Sequence, residues 1–342
     1  MTTPVIDFVV PWVDPSDPLW RAEKDKYLNS DNNTATPPAS AIDATKERYR
    51  SWDNLHYWFR SIETYAPWVN KIHFITYGHL PEWLNTQHPK LHIVRHEDYI
   101  PAKYRPVFSA NPIELLMYKI PGLADHFVYF NDDVFLTAPT KPTDFFVHGL
   151  PCDSLSETET ISRDGNPVWK CLCQNNSDFL NRHFDRKRSK SQHLTKWFPI
   201  RSPKDALKNI IYSCKPWDRF HSLSSHHLAQ PYLKSTFETV WNLEPEILSE
   251  TCSHHFRSST DVNQYVFREY QLMSWQFHVH NIYRFGHAYQ AHELDKVPSA
   301  ILSKKYKMIC INDGDISDFE STLEKINAAF ATVLPNKSSY EK

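Results

Sequence analysis

Glycine is scarce in this chain, with only 6 among 342 residues, well below the usual ~7%. Neither G-x-G-x-x-G nor G-x-x-x-x-G-K-[ST] occurs, so the dinucleotide and P-loop readings lose their usual support. Long apolar runs are missing too. Nothing approaches ~18 uninterrupted apolar residues, which predicts no transmembrane segment. The opening MTTPVIDFVVPWVDP has no charged n-region and is cut by Asp7 and Pro11, unlike a signal peptide. Net charge is small, at -2, so neither nucleic acid nor a membrane is attracted by charge overall; a local basic run from Arg182 to Lys190 remains. The cysteines, Cys152, Cys171, Cys173, Cys214, Cys252 and Cys310, are scattered. Cys171-x-Cys173 lacks a second pair at zinc-ribbon spacing, so these residues read as reduced thiols rather than a structural zinc site. A cytoplasmic protein is expected.

Aromatic residues, by contrast, reach 14%, with 11 tryptophans, and histidines number 19. Hydrophobic residues at 41% and charged residues at 23% indicate a globular chain of one large domain or two. The most informative stretch is His126-Phe127-Val128-Tyr129-Phe130-Asn131-Asp132-Asp133-Val134-Phe135-Leu136. Its length and aromatics favour a strand. Acids at the end of a buried parallel strand lie where open α/β sheets bind ligands. Two adjacent carboxylates beside an amide suit a hard divalent cation that also holds phosphate oxygens. A turn in which Asn and Asp bond local backbone uses the same residues.

Val5–Val13, Lys71–Tyr77, Leu91–Arg95 and His126–Phe135 read as strands, and Asp53–Tyr65 and Ile113–Ile120 as helices. Asp14 ends the first strand, before a turn. Residues 29–45 read as a surface loop. After residue 139 the pattern loses its alternation. Leu228–Trp241 and Val262–His278 then read as helical, Lys307–Ile311 as a fifth strand, and Ser317–Leu334 as an amphipathic helix. The alternation predicts an α/β fold: a mostly parallel, Rossmann-like (GT-A-like) sheet flanked by helices, with a mid-chain insertion and a helical C-terminal half. The expected division is 1–138 for an N-terminal nucleotide-sugar-binding part and 139–215 for an insertion or lid. Residues 216–342 form a helical part that returns a strand (307–313) and a terminal helix to the same domain.

Four separated blocks bear a family likeness. They are Ile6-Asp7-Phe8-Val9-Val10-Pro11-Trp12-Val13-Asp14; a long block from Arg48 to Leu136; His226-His227-x-x-x-Pro231 through Trp241 to Arg257; and Cys310-Ile311-Asn312-Asp313. The long block includes Ala66-Pro67-Trp68, His96-Glu97-Asp98, Ile120-Pro121-Gly122-Leu123 and Phe130-Asn131-Asp132-Asp133. In their order and content they resemble the Stealth family, sugar-1-phosphate transferases of bacterial capsule synthesis whose animal member tags lysosomal enzymes. The chain departs from the family pattern at Asn54-Leu55-His56 and at Leu116 and Tyr118.

The resemblance implies attack by a glycan hydroxyl on the β-phosphorus of a UDP-sugar, a HexNAc or hexose donor. UMP leaves, and a phosphodiester-linked capsular or cell-surface glycan forms. It implies His227 as general base, with Arg257 and Asp132 in catalysis, and Mg²⁺ or Mn²⁺ on Asp133 and Asp313. Trp12, Asp14, Arg60, Asn111, Glu114, Asn131 and Asn312 become candidates for substrate binding. The implied partners are the UDP-sugar and a glycan acceptor, with no nucleic acid. The implied setting is the cytoplasm, with room for a peripheral association with a capsule-assembly complex at the inner face of the membrane. The alternatives are a conventional metal-dependent UDP-sugar glycosyltransferase releasing UDP, and a non-catalytic glycan-binding subunit.

Overall fold

The computed structural model describes residues 4–31, 50–159 and 167–342. Eight strands organise the molecule: β1 (Ile6–Trp12), β2 (Ile72–Thr76), β3 (Leu91–Arg95), β4 (His126–Tyr129), β5 (Val134–Leu136), β6 (Gln230–Leu233), β7 (Gly286–Tyr289) and β8 (Met308–Ile311). The main sheet has the order β6-β4-β1-β2-β3. Its pairings are parallel, with Ile6 opposite His126, Phe8 opposite Ile72 and Ile72 opposite Leu91. Only β6 runs antiparallel, with Gln230 opposite Tyr129. A second sheet has the order β7-β8-β5, with β7 parallel and β5 antiparallel to β8.

Alternate residues of β1 point to opposite faces, and both faces are covered. Phe8 and Val10 enter a cluster with Phe74 and with Trp58, Phe59 and Ile62 of the helix Leu55–Tyr65. Val9 enters another with Ile75, Phe127 and Tyr129, closed by Leu115, Phe237 and Phe267 from the helices Ala110–Leu116, Lys234–Leu243 and Tyr265–Met273. Burial on both sides explains why these strands read as nearly unbroken apolar runs. Truncating a side chain such as Phe8 would cost about 3–5 kcal/mol. The aromatic excess is mostly core: Trp58, Phe59 and Phe130 are each fully buried.

Several sequence expectations need correction. His126–Phe135 is not one strand. The Phe130 N–H still donates to the Val9 carbonyl at 2.8 Å, but the Val134 N–H closes a turn on the Asn131 carbonyl at 3.1 Å. β5 then enters the second sheet. Leu228–Trp241 is not one helix, because β6 precedes the helix Lys234–Leu243. Proline tolerates an edge strand, and Pro231 lies in the outermost one. There the Leu233 N–H donates to Gln271 Oε1 at 2.9 Å, and Gln271 Nε2 donates to the Pro231 carbonyl at 3.4 Å. The helix expected at Ile113–Ile120 starts at Ala110 and tightens to 3₁₀ at Met117–Lys119. A helix at Pro18–Asp31, absent from the sequence reading, takes in the start of the expected 29–45 loop; from residue 32 that loop lies outside the described residues. The 139–215 stretch contributes the helices Pro167–His183 and Pro203–Ser213, and Leu155, Leu180 and Trp197 join a third core cluster with Phe220 and Leu272. Among the described residues, no helix is long and apolar enough to cross a membrane.

Candidate active site

The turn between β4 and β5 places Asn131, Asp132 and Asp133 at the carboxyl edge of the main sheet, with one carbonyl fixed by the other sheet: the Ile311 N–H donates to the Asp133 carbonyl at 3.0 Å. The same contact brings the end of β8, and with it Asn312 and Asp313, to the turn. Between them stands His227. Its Nδ1 lies 2.5 Å from Asn312 Oδ1, and its Nε2 lies 2.7 Å from Asn131 Nδ2. Asn312 is itself oriented, because its amide nitrogen donates to the Tyr289 carbonyl at 3.0 Å. The oxygen of Asn312 therefore faces the ring, Nδ1 carries the proton, and Nε2 keeps its lone pair. This tautomer is the one a base acting through Nε2 requires.

His226 and His227 lie on an irregular segment, not on a helix, yet they diverge. His226 Nε2 meets Ser154 Oγ at 3.1 Å. The segment is pinned from below by buried Arg268, which pairs with Asp153 through two contacts at 2.8 and 2.9 Å and donates to the Ser224 carbonyl at 3.0 Å.

A cavity of about 330 Å³ opens on this relay. Of the residues expected from sequence, the fold brings Asn111, Glu114, Asn131, His227, Arg257, Asn312 and Asp313 into its wall. Arg257 is half-buried, and its Nε meets no partner among the described residues. Glu114 accepts from the Tyr129 hydroxyl at 2.7 Å. Burial pushes its carboxyl up to about 7, against the downward pull of that hydroxyl and of the Arg257 charge. Asn111 donates to Asp261 at 2.9 Å.

The two acids of the turn differ. Asp133 has a buried Oδ1 with no partner among the described residues. Asp133, His227 and Cys310 hold ligand atoms within 4.8 Å of one another. An unmet carboxylate oxygen beside a phosphate-sized cleft is compatible with a divalent cation; a Cys–His–Asp set departs from the all-oxygen shell that hard ions prefer. Asp132 sits amid dense protein beside the Asp133 charge, both of which raise its carboxyl above the usual range, yet its side chain is open to solvent. Solvent access limits such a shift, so the upward direction alone is retained.

Other expected residues are placed elsewhere. Arg60 does not line the cavity. It grips Glu341 through two contacts at 2.8 Å and donates to the Leu334 carbonyl, tying the helix Leu55–Tyr65 to the C-terminal segment. Trp12 stacks on Phe74 at 5.8 Å. Asp14 accepts from the backbone N–H and hydroxyl of Ser16, shaping the turn after β1. Asp313 lines the cavity, but Arg50 holds its carboxylate and it stands outside the Asp133–His227–Cys310 group. The sequence reading missed Trp169, Leu172, Asn263, Gln264, Tyr265 and Gln290, which complete the wall.

A cleft at the carboxyl ends of parallel strands, walled by an oriented imidazole, an unpaired guanidinium nitrogen and unmet carboxylates, defines an α/β enzyme. The chain belongs to the Stealth family: residues 4–31 match Stealth protein CR1, conserved region 1, and residues 48–152 match Stealth protein CR2, conserved region 2. It is 39% identical to the capsular polysaccharide phosphotransferase WcwK of Streptococcus pneumoniae, over 98% of this chain and 99% of that one. It is 36% identical to the receptor polysaccharide phosphotransferase WefC of Streptococcus oralis, over 98% and 99%. It is 34% identical to the exopolysaccharide phosphotransferase cps2G of Lactiplantibacillus plantarum, over 98% and 96%. Among solved structures, the apo bifunctional glycosyltransferase WbbM aligns with 95% of this chain and 50% of its own, at 11% identity and a TM-score of 0.38.

Proposed function

We propose that this protein is a polysaccharide phosphotransferase that moves a HexNAc- or hexose-1-phosphate from a UDP-sugar to a hydroxyl of a capsular or cell-surface glycan. The observation that carries the reading is the Asn131–His227–Asn312 relay facing Arg257 across one cavity. The full-length likeness to polysaccharide phosphotransferases supports the reaction class.

The acceptor hydroxyl displaces the Asn131 amide from Nε2 of His227, which takes the proton as the oxygen bonds to the β-phosphorus. The bond from that phosphorus to the oxygen bridging to UMP breaks, and UMP carries away the electron pair. Arg257 sits where its unmet Nε can hold a phosphoryl oxygen and offset the charge that builds in the transition state. Mg²⁺ or Mn²⁺ held by Asp133 would neutralise the diphosphate. Asp132 stands beside it, and Asp313 joins only if Arg50 releases it. Asn111 and Glu114 shape the wall nearest Arg257. A cytoplasmic setting, at the inner face of the membrane if a capsule-assembly complex recruits the enzyme, follows from the substrates.

The test is turnover with a panel of UDP-sugars, Mg²⁺ and glycan acceptor. UMP is the expected product, with phosphorus retained in the glycan; stoichiometric UDP would identify a conventional glycosyltransferase instead.

A further inference from the structure

A second cavity, of about 270 Å³, adjoins the first: Trp169, Asn263 and Tyr265 line both. Its wall also includes Asn176, Lys208, His226 and Glu269. Glu269 is only 5% exposed, and its Oε2 is buried with no partner among the described residues. Its chain neighbour Arg268, equally buried, is fully engaged by Asp153 and by the carbonyls of Ser154 and Ser224. The packing here satisfies a charged group when nothing else is to be bound, so the unmet acid next door marks a ligand position.

The chemistry of the wall narrows the ligand. Lys208 is its one lysine or arginine, set against Glu159 and Glu269, which suits no diphosphate. Burial holds Glu269 up to about 8. At neutral pH it is a neutral acid, able to donate one hydrogen bond and accept another, as a hydroxyl requires. Trp169 and Tyr265 stand edge to face, 6.4 Å between centroids at 90°, and offer apolar flats beside amide and hydroxyl groups. This is the make-up of a sugar-ring site. His226 faces this cavity while His227 faces the other, so a ring seated here is one residue along the chain from the base, on the side away from the guanidinium.

We infer that the second cavity binds one pyranose ring of the acceptor glycan, with Glu269 hydrogen-bonded to a ring hydroxyl. This rests on the phosphotransfer reading above.

The experiment is saturation-transfer NMR on the full chain with Mg²⁺ and saturating UDP, probing methyl β-galactopyranoside, methyl α-glucopyranoside and methyl N-acetyl-β-glucosaminide. At least one glycoside binds in the presence of UDP. Glu269→Leu weakens that binding by roughly tenfold or more, whereas Glu269→Gln, which keeps a donor and an acceptor, retains it. UDP affinity by calorimetry is unchanged in both. Should Glu269→Leu fail to fold, Trp169→Ala replaces it with the same expectation. Three results would each overturn the inference: no glycoside bound to the wild type, wild-type binding in the folded variants, or displacement of the glycoside by UDP-GlcNAc but not by UDP, which would make this the donor-sugar pocket. Failure of the phosphotransfer reading shows separately, as UDP in place of UMP in wild-type turnover.

Discussion

The two edges of the main sheet treat the same chemical group in opposite ways. At the amino edge, Asp7 is fully buried and every contact serves it: Asn70 Nδ2 at 2.8 Å, the Lys71 N–H at 3.1 Å, the Ala124 N–H at 2.8 Å and His73 Nε2 at 3.0 Å. Burial pushes its carboxyl up, yet the bonds from His73, Asn70 and Ala124 outweigh it and leave the group below its ordinary value. At the carboxyl edge, Glu114 is held high by burial despite its one tyrosine bond, Asp133 has an unmet buried oxygen, and Arg257 has an unmet nitrogen. The first edge is complete without a ligand, and the second is not. Buried polar groups are normally satisfied. An edge where cation, carboxylate and imidazole converge with bonds left over is therefore the edge that meets substrate.

The comparison can be broken by mutation, and the largest effect belongs at the carboxyl edge. His227→Ala lowers kcat by ~10²–10⁴-fold, the usual contribution of a positioned base, with an unaltered urea unfolding curve. Asp133→Ala, like excess EDTA acting on the wild type, abolishes UMP release. Full activity in EDTA would rule out an obligatory divalent ion. At the amino edge the result reverses. Asp7→Ala strands His73, Asn70 and two backbone donors and costs about 3–5 kcal/mol in urea unfolding. If instead Asp133→Ala unfolds the protein and Asp7→Ala merely lowers activity, the contrast between the edges is wrong.

Acidity sharpens the contrast with a smaller effect. The fold lowers the Asp7 pKa, so the stability it contributes is present above its ordinary value of 3.8 and is lost as pH falls below that. The fold raises Glu114 from 4.5 to about 7, so it favours the protonated acid, and stability declines as pH rises across that window. Glu114→Gln should flatten the decline between those values in a series of thermal melts; an unchanged slope would remove Glu114 as its source. The smallest effect is expected at Arg60, whose grip on Glu341 is about 1–3 kcal/mol by the strength of charged hydrogen bonds. Arg60→Ala lowers Tm by a few degrees and leaves the KM for UDP-sugar unchanged. A raised KM would return Arg60 to the substrate site.

The sheet was legible because its strands are apolar on both faces, and β3 was read with its observed limits, Leu91–Arg95. What failed was the handover between sheets. Nothing in Phe130-Asn131-Asp132-Asp133 distinguishes a strand that continues from one that turns and enters a second sheet, since both use the same apolar residues. Pro231 was a signal for an edge strand that helical spacing obscured. Asn131, His227 and Asn312 were readable because short polar residues end apolar strands or recur in a family pattern. Tyr265 and Glu269 were not. On a helix four residues apart they share a face, but Arg268-Glu269 looks like surface charge unless one sees that Val266, Phe267, Leu272 and Met273 are buried around it. Trp169 lies in the stretch after residue 139, where no periodicity pointed to a site.

The outermost strand, β6, has a consequence for life in a crowded cell. A bare sheet edge is a template on which another chain can add a strand, the first step in many aggregates. Pro231 has no amide to offer there, and the Gln271 side chain already occupies the Leu233 N–H and the Pro231 carbonyl. That border of the sheet is sealed by its own helix, so an assembling partner would have to engage the molecule through side chains rather than by extending its backbone ladder.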